Sequence, residues 1–290
     1  MRSKFFFGIA AMLLLASCEE SFEMETNLEI GNPSEVFTAT TENEPSTRTS
    51  LSGYTNGDGC YSLYWSEGDA ISISDGVSTA VYTTDDSYSS TAEFTKSEGS
   101  ISNTASQYTA FYPSTITVSN MVLPATQNYV SDNVENFPMR AVSTNKNLAF
   151  KNLCGIIRFC LKSEENGQLK VSSISLSADK GMSGAFIVGE DNAAVVTGTD
   201  GVVLTCAEAE QLYATSTTDF NIIVPHGEYN PLKVKICDAD GNEVNLVSDG
   251  EISVKRSEIT RITLTLAKST FETSLETIPI TDSDVDFTER

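Results

Sequence analysis

The stretch AISISDGVSTAVYTT, residues 70–84, decides the fold class. Ile71 and Ile73 fall on one face of an alternating run, Asp75-Gly76 supplies a turn, and Val77, Thr79 and Val81 carry the chain back. Both central residues of a type I′ turn need positive φ, so Asp-Gly between alternating runs is the strongest short-range hairpin signal. The same pattern recurs along the chain. Further strands are expected at YSLYW (61–65), TAEFT (91–95), QYTAFYP (107–113) and NMVLP (120–124), and a second series opens near Leu148. In LCGIIRFCLK (153–162), Leu153, Gly155, Ile157, Phe159 and Leu161 share one strongly apolar face, with Cys154, Ile156, Arg158 and Cys160 on the other. Strands then follow at VSSISLSA, GAFIV, FNIIVP, LKVKIC, EVNLVS and ITRITLTLA. AEAEQLYA, Ala207 to Ala214, is the best stretch for one or two helical turns. Many short strands at close spacing predict an all-β protein built of β-sandwiches. The roughly 240 residues after residue 50 suit two tandem sandwiches of roughly 100 to 120 residues each, with residues 51–147 as the first and 148–268 as the second.

The N-terminus reads as an export signal over residues 1–17. Arg2 and Lys4 form a cationic head, and FFFGIAAMLLLA, Phe5 to Ala16, forms an apolar core too short for a bilayer, which takes about 20 helical residues. Leu15, Ala16 and Ser17 directly before Cys18 resemble the bacterial lipobox, in which the cysteine sulfur is diacylated and becomes the first residue of the mature chain. Several acyl chains on one cysteine hold a protein to a membrane where a single chain would not. Glu19, Glu20 and Glu23 look like the surface-export signal of Bacteroidota lipoproteins, which implies the outer face of the outer membrane; as a plain reading they also suit an acidic tether. Residues 18–50 are a polar tether in which VFTAT, Val36 to Thr40, alone has strand propensity.

The formal net charge of −22 falls to −24 when Arg2 and Lys4 leave with the signal. So negative a chain is repelled by phosphate backbones, and nucleic-acid partners are excluded. Beyond Cys18 five cysteines remain, Cys60, Cys154, Cys160, Cys206 and Cys237, which cannot all pair with one another and show no dense framework.

Catalytic chemistry finds little to use. The single histidine, His226, sits beside Pro225 and Gly227 in what reads as a surface turn, and no G-x-S-x-G elbow accompanies it. No His and Cys cluster offers a metal site, and no cofactor is called for. DADGNE, Asp238 to Glu243, has its glycine in the fourth position and lacks the distal bidentate glutamate of an EF-hand, so it reads as a turn. The acidic DSDVD, Asp282 to Asp286, reads as a solvated charge run. Among aromatics, Trp65 is expected in the core with Tyr61 and Leu63, leaving Tyr64, Tyr82 and Tyr88 as surface rings that could stack on sugars. The tail, residues 269–290, is acidic, yet Phe271, Leu275, Ile278, Ile280, Val285 and Phe287 are too many apolar residues for a solvating tail. Either it packs as added strands on the second sandwich, or it is an extended segment awaiting a partner.

The runs TRTSL (47–51), YWSEGDAISI (64–73), AFYP (110–113), and PMRA (138–141) followed by LAFKNLCGIIRF (148–159) are together similar to fimbrillin-like lipoproteins of the Bacteroidota, over most of the mature chain. That resemblance implies a pair of transthyretin-like sandwiches, exported as a lipoprotein and assembled into type V pili or acting as a surface adhesin. Its partners would be other fimbrial subunits or copies of itself, host or bacterial surface ligands, and the outer membrane through the lipid. In pilin members of that family a protease cuts after an arginine, removing lipid and first strand and opening a groove for a neighbour's strand. Arg48 stands between VFTAT and the first sandwich, where such a cut would detach both; an arginine in an exposed linker also needs no special reason. The expected function is a non-enzymatic fimbrial subunit or adhesin. The rival from another class is a glycan-binding lipoprotein of a polysaccharide uptake system, which would share the anchor and the β-rich build.

Overall fold

A computed structural model describes residues 35–42, 63–131, 133–273, 277–281 and 284–286. Cys18, Arg48 and Cys60 lie outside them. The described chain is all-β apart from one short helix and a 3-10 turn.

The first sheet is made of β1 (Val36–Thr40), β2 (Ala70–Ser74), β3 (Thr79–Thr83), β4 (Thr91–Gly99) and β5 (Tyr108–Tyr112), completed by three later strands. Two very short strands, β6 (Val122–Leu123) and β7 (Thr126–Asn128), leave this sheet and pair elsewhere. The chain then returns as β8 (Met139–Ser143), β9 (Asn147–Ala149) and β10 (Lys151–Asn152), giving the order β10-β8-β5-β2-β3-β4-β1-β9. Strands β9 and β10 stand at opposite ends of that order and are separated only by Phe150. One continuous piece of chain therefore joins both margins, and the sheet rolls around its own core. Trp65, Tyr82, Phe94, Phe37 and Phe150 fill that core, with Trp65 edge-on to Phe94, Tyr112 and Phe150 at 5.0, 5.4 and 5.3 Å. Trp65 is thus a packing residue, as its alternation predicts.

The hairpin around Asp75-Gly76 forms, with a different loop. Residues 75–78 all lie outside the strands, so the connection has four residues instead of two. The Asp75 carboxylate accepts from the N–H groups of Val77 and Ser78 at 2.8 and 2.7 Å, which stabilises the wider turn. The ladder sets Ala80 opposite Ile73 and Tyr82 opposite Ile71, so both share the inward face, while Val77 at the loop tip is 94% exposed.

The second half is a sandwich. One layer contains β11 (Cys154–Ser163), β16 (Thr218–Pro225), β21 (Ile259–Leu266) and β23 (Val285–Asp286), in the order β16-β11-β21-β23. The other contains β12 (Lys170–Ser177), β15 (Val202–Gln211), β18 (Lys233–Asp238), β19 (Glu243–Ser248) and β22 (Thr277–Ile280), with β7 added at its margin beside β15. Between the layers lie Ile157, Phe159, Leu161, Phe220 and Ile262 from one side and Val171, Ile174, Leu204, Ile236 and Leu246 from the other. Two small pairings complete the architecture: β13 (Gly184–Val188) joins β6 and β14 (Ala194–Val196), and β17 (Gly227–Tyr229) joins β20 (Ile252–Val254).

Strand β11 is the hinge of the whole design. Ile157, Phe159 and Leu161 enter the sandwich core, and Cys154 and Ile156 on the opposite face enter the core of the rolled sheet. Arg158, also on that second face, is buried and donates to the Asn221 side chain at 2.8 Å. A strand covered on both faces is a near-continuous apolar run, which explains the density of Ile, Phe and Leu in this stretch.

AEAEQLYA is strand where its composition predicts helix. Residues 207–211 continue β15, paired with β12 through Glu210 and Gln211. Helix propensity is a weak prior that pairing within a sheet overrides. The tail resolves toward added strands: α1 (Lys268–Thr273) buries Phe271 in the sandwich core, β22 pairs in parallel with β19, and β23 pairs antiparallel with β21.

Gly155 of β11 is a tight approach. A Cβ there would stand 2.2 Å from the Lys255 carbonyl oxygen and 2.8 Å from a Val254 methyl. Gly155→Ala should therefore lower stability by about 1–3 kcal/mol or more through overpacking, read as a shift of the urea midpoint. A midpoint equal to the parent's would refute this account of the glycine.

Candidate functional site

The site is built around the segment that the sequence marks as an isolated strand in a polar tether. β1 lies between β4, antiparallel, and β9, parallel. Alternation sends Phe37 and Ala39 into the core, both fully buried. Phe37 meets Tyr82 and Tyr108 edge-on at 5.1 and 5.0 Å, and the Lys146 ammonium lies 5.7 Å from the Phe37 ring centre on the way out to solvent. Burying a side chain of that size contributes about 1.5–3 kcal/mol. The backbone adds bonds on both flanks, including Thr38 N–H to the Lys146 carbonyl and Phe150 N–H to the Thr40 carbonyl at 2.9 and 2.8 Å. The Trp65 indole N–H also donates to the Ala39 carbonyl at 3.1 Å. Without β1, strands β4 and β9 would face each other across a gap of one strand, with an aromatic pocket at its floor. The resident strand leaves one group unserved: the buried Tyr82 hydroxyl has no hydrogen-bond partner among the described residues, and burial with the nearby Glu35 charge pushes its pKa up to about 12.

The segment ends in a lock that sequence reasoning missed. Glu42 is buried, and one carboxylate oxygen accepts from Arg256 Nη1 at 2.6 Å, the Asn152 backbone N–H at 2.9 Å and the Ser257 hydroxyl at 3.3 Å; Lys151 reaches the other oxygen at 3.4 Å. Burial works against its charge, yet Arg256, the Asn152 N–H and Lys151 together hold the carboxyl below the ordinary carboxylate range. At the other end of the segment Glu35 pairs with Lys96 on the surface.

Of the other residues singled out by sequence, Tyr82 belongs to this seat and the rest fall apart from it. Tyr82, expected at the surface, is fully buried, because it stands opposite Ile71 in the ladder of β2 and β3 and shares its inward face. Tyr88 is 61% exposed and stacks on Tyr64 with ring centres 4.5 Å apart. This pair lines a cleft of about 560 Å³ that also receives Glu67, Asp69 and Glu135. Burial outweighs the Ser66 N–H and the Tyr112 hydroxyl at Asp69 and raises its pKa. His226 is exposed between β16 and β17. In DADGNE, Asp238 accepts from the N–H groups of Asp240 and Asn242 at 2.9 and 2.7 Å, the geometry of a turn. No group of metal-ligating side chains is assembled among the described residues. Cys154, Cys160, Cys206 and Cys237 are unpaired, and burial pushes the thiols of Cys160 and Cys206 up to about 12 and about 11.

No family model and no curated protein matches the chain. Among solved structures, a Bacteroides ovatus protein described as a candidate cell adhesion protein is similar over 80% of this chain and 92% of its own, at 14% identity and a TM-score of 0.50. The tip fimbrial protein Mfa3 of Porphyromonas gingivalis aligns over 80% of this chain and 95% of its own at 8% identity and a TM-score of 0.33. A Bacteroides ovatus fimbrial protein aligns over 79% and 49%, at 9% identity and 0.35. The first likeness shows a shared fold; the other two carry no argument.

The Glu42 lock has a pH signature. A carboxyl whose folded pKa is depressed contributes stability above its unfolded pKa and loses that contribution as pH falls through the folded value. Glu42→Gln should cost about 3 kcal/mol at pH 7, since it leaves Arg256 without its counter-ion. That gap to the parent should close as pH falls from 4.5 downward. Asp69, with its raised pKa, contributes equally to both proteins and cancels in the difference. Denaturant midpoints at pH 7, 5, 4 and 3 test this, and a gap independent of pH would refute it.

Proposed function

We propose that the chain is a surface lipoprotein of the fimbrillin-like kind, a fimbrial subunit or adhesin whose first strand can be exchanged for a strand of another subunit. The observation that supports this most directly is the place of β1. It is the one strand of the rolled sheet contributed from within the tether, and it fills a slot between two partners instead of lying at a margin. Arg48 follows it in sequence by eight residues after Thr40. A cut after Arg48 would free Val36 to Thr40 together with a chain anchored through a diacylated Cys18 in the outer membrane. The slot then presents unpaired main chain on two sides and an aromatic pocket below, a combination suited to strand addition, where backbone bonds give affinity and alternate side chains give register. The division into two tandem sandwiches near residue 147 belongs to the same proposal.

The tail, read from sequence as added strands or as an extended segment awaiting a partner, is the donor this reading would use, and its described part is engaged on its own sandwich through Phe271, Ile280 and the pairings of β22 and β23. Donation by the tail would first release those contacts, so assembly through it should be slow and should accelerate with mild heating or dilute denaturant.

Treatment of lipid-free protein with an Arg-specific protease should remove the residues through Arg48 and yield ladders on a gel that resist denaturant. Arg48→Gln protein should give neither product. A cut chain that loses VFTAT and nevertheless stays monomeric at high concentration would sink the assembly reading. The stacked Tyr64 and Tyr88 beside the acidic cleft favour one second reading, glycan binding. Retardation of a stable monomer in glycan-containing native gels, abolished by Tyr88→Ala, would establish it.

A further inference from the structure

The groups that hold Glu42 are also bonded to one another. The Arg256 guanidinium also donates to the Asn152 carbonyl and the Ser257 hydroxyl, both at 3.2 Å, and the Asn152 side-chain amide donates to the same hydroxyl at 3.0 Å. Ser257 is fully buried and held at a φ of +63°, a conformation that non-glycine residues rarely adopt. Its N–H is fixed to the Cys154 carbonyl at 2.9 Å. Arg256, Ser257, Lys151 and Asn152 come from the loop after β20 and from β10, so none of them would leave with β1. What departs is the carboxylate alone. Left behind are the Arg256 guanidinium, the Lys151 ammonium and the Asn152 N–H, which in the intact chain converge on one carboxylate.

We infer that this cluster is a carboxylate-recognition site for the strand that replaces β1, selecting a strand of another subunit that carries a carboxylate five residues beyond the aromatic seated in the Phe37 pocket. The inference rests on the strand-exchange reading above and specifies the partner of that slot. The spacing is that of Phe37 and Glu42 themselves. A strand with a neutral side chain at that position buries the Arg256 charge without a counter-ion, and an apolar one also leaves the Asn152 N–H without an acceptor. The site therefore rejects strands as well as accepting them, which is how discrimination between otherwise similar β-strands arises. Main-chain pairing cannot supply that choice, because every extended peptide offers the same backbone groups.

The test uses the chain nicked after Arg48 and cleared of its first segment, with two fluorescent peptides: residues 33–44 in the native sequence, and the same peptide with Glu42→Gln. Anisotropy titration at pH 7 should show the native peptide binding at least about 30-fold more tightly, as expected when one member of a buried hydrogen-bonded charge pair is removed. On Arg256→Gln protein the two peptides should bind within about threefold of each other. If Arg256→Gln does not fold, Lys151→Gln, at a side chain 37% exposed, should narrow the preference by a smaller factor. Equal binding of both peptides to the unmodified nicked chain overturns the carboxylate site while leaving the strand slot standing. Binding of neither overturns the slot, and the site falls with it.

Discussion

A sheet whose two margins are joined by six consecutive residues, Asn147 to Asn152, has one way to be opened without unfolding: loss of a strand that the chain can spare. Strand β1 is the one contributed from the tether. All the others sit in hairpins or pairings flanked on both sides by folded chain, so their removal would drag neighbours along. The closure through Phe150 makes the aromatic core continuous. It also makes the position between β4 and β9 depend on a segment that arrives from a polar, acidic stretch and departs into another.

Two kinds of force hold that segment, and they differ in what they can distinguish. The ladder to β4 and β9 and the burial of Phe37 and Ala39 are generic to any strand with suitable alternation. The Glu42 lock is specific, because a charge taken out of water must meet both a counter-ion and hydrogen-bond donors at one place. Its donors come from parts of the chain more than a hundred residues downstream, 110 residues for Asn152 and 214 for Arg256. The lock thus ties the end of the tether segment to the junction with the sandwich as well as to its own sheet. Fold-level likeness to a cell adhesion protein carries no information about such a contact.

Period-two patterning made the strands legible, because each half-buried strand repeats its signal every second residue. It failed where tertiary context alone decides. The length of the loop after Ser74 was invisible to an Asp-Gly signal, since Asp75 stabilises a four-residue connection as readily as a two-residue one, and the inward face of β3 is set by the pairing of Tyr82 with Ile71 and of Ala80 with Ile73. Helical composition at residues 207–211 lost to the pairing of β15 with β12. The full burial of β11 was half legible: one apolar face was plain, while the role of Cys154 and Ile156 on the other depended on a second core arriving from elsewhere. Glu42 was unreadable. In sequence it is one acidic residue among many in a tether, and nothing local distinguishes a buried carboxylate from a solvated one when its partners are so distant.

The acidic excess of the chain gives that buried carboxylate a further meaning. With 40 acidic residues against 18 basic ones, copies of this protein repel one another at long range, and association has to be driven by short-range contacts once the surfaces meet. A convergent Arg256 and Lys151 in an otherwise negative molecule is a local inversion of that field, placed at the end of the slot. Long-range repulsion would suppress misaligned encounters, and the inverted patch would reward the aligned one. Specificity of assembly would then reside less in the affinity of the groove than in the contrast between the groove's end and everything around it.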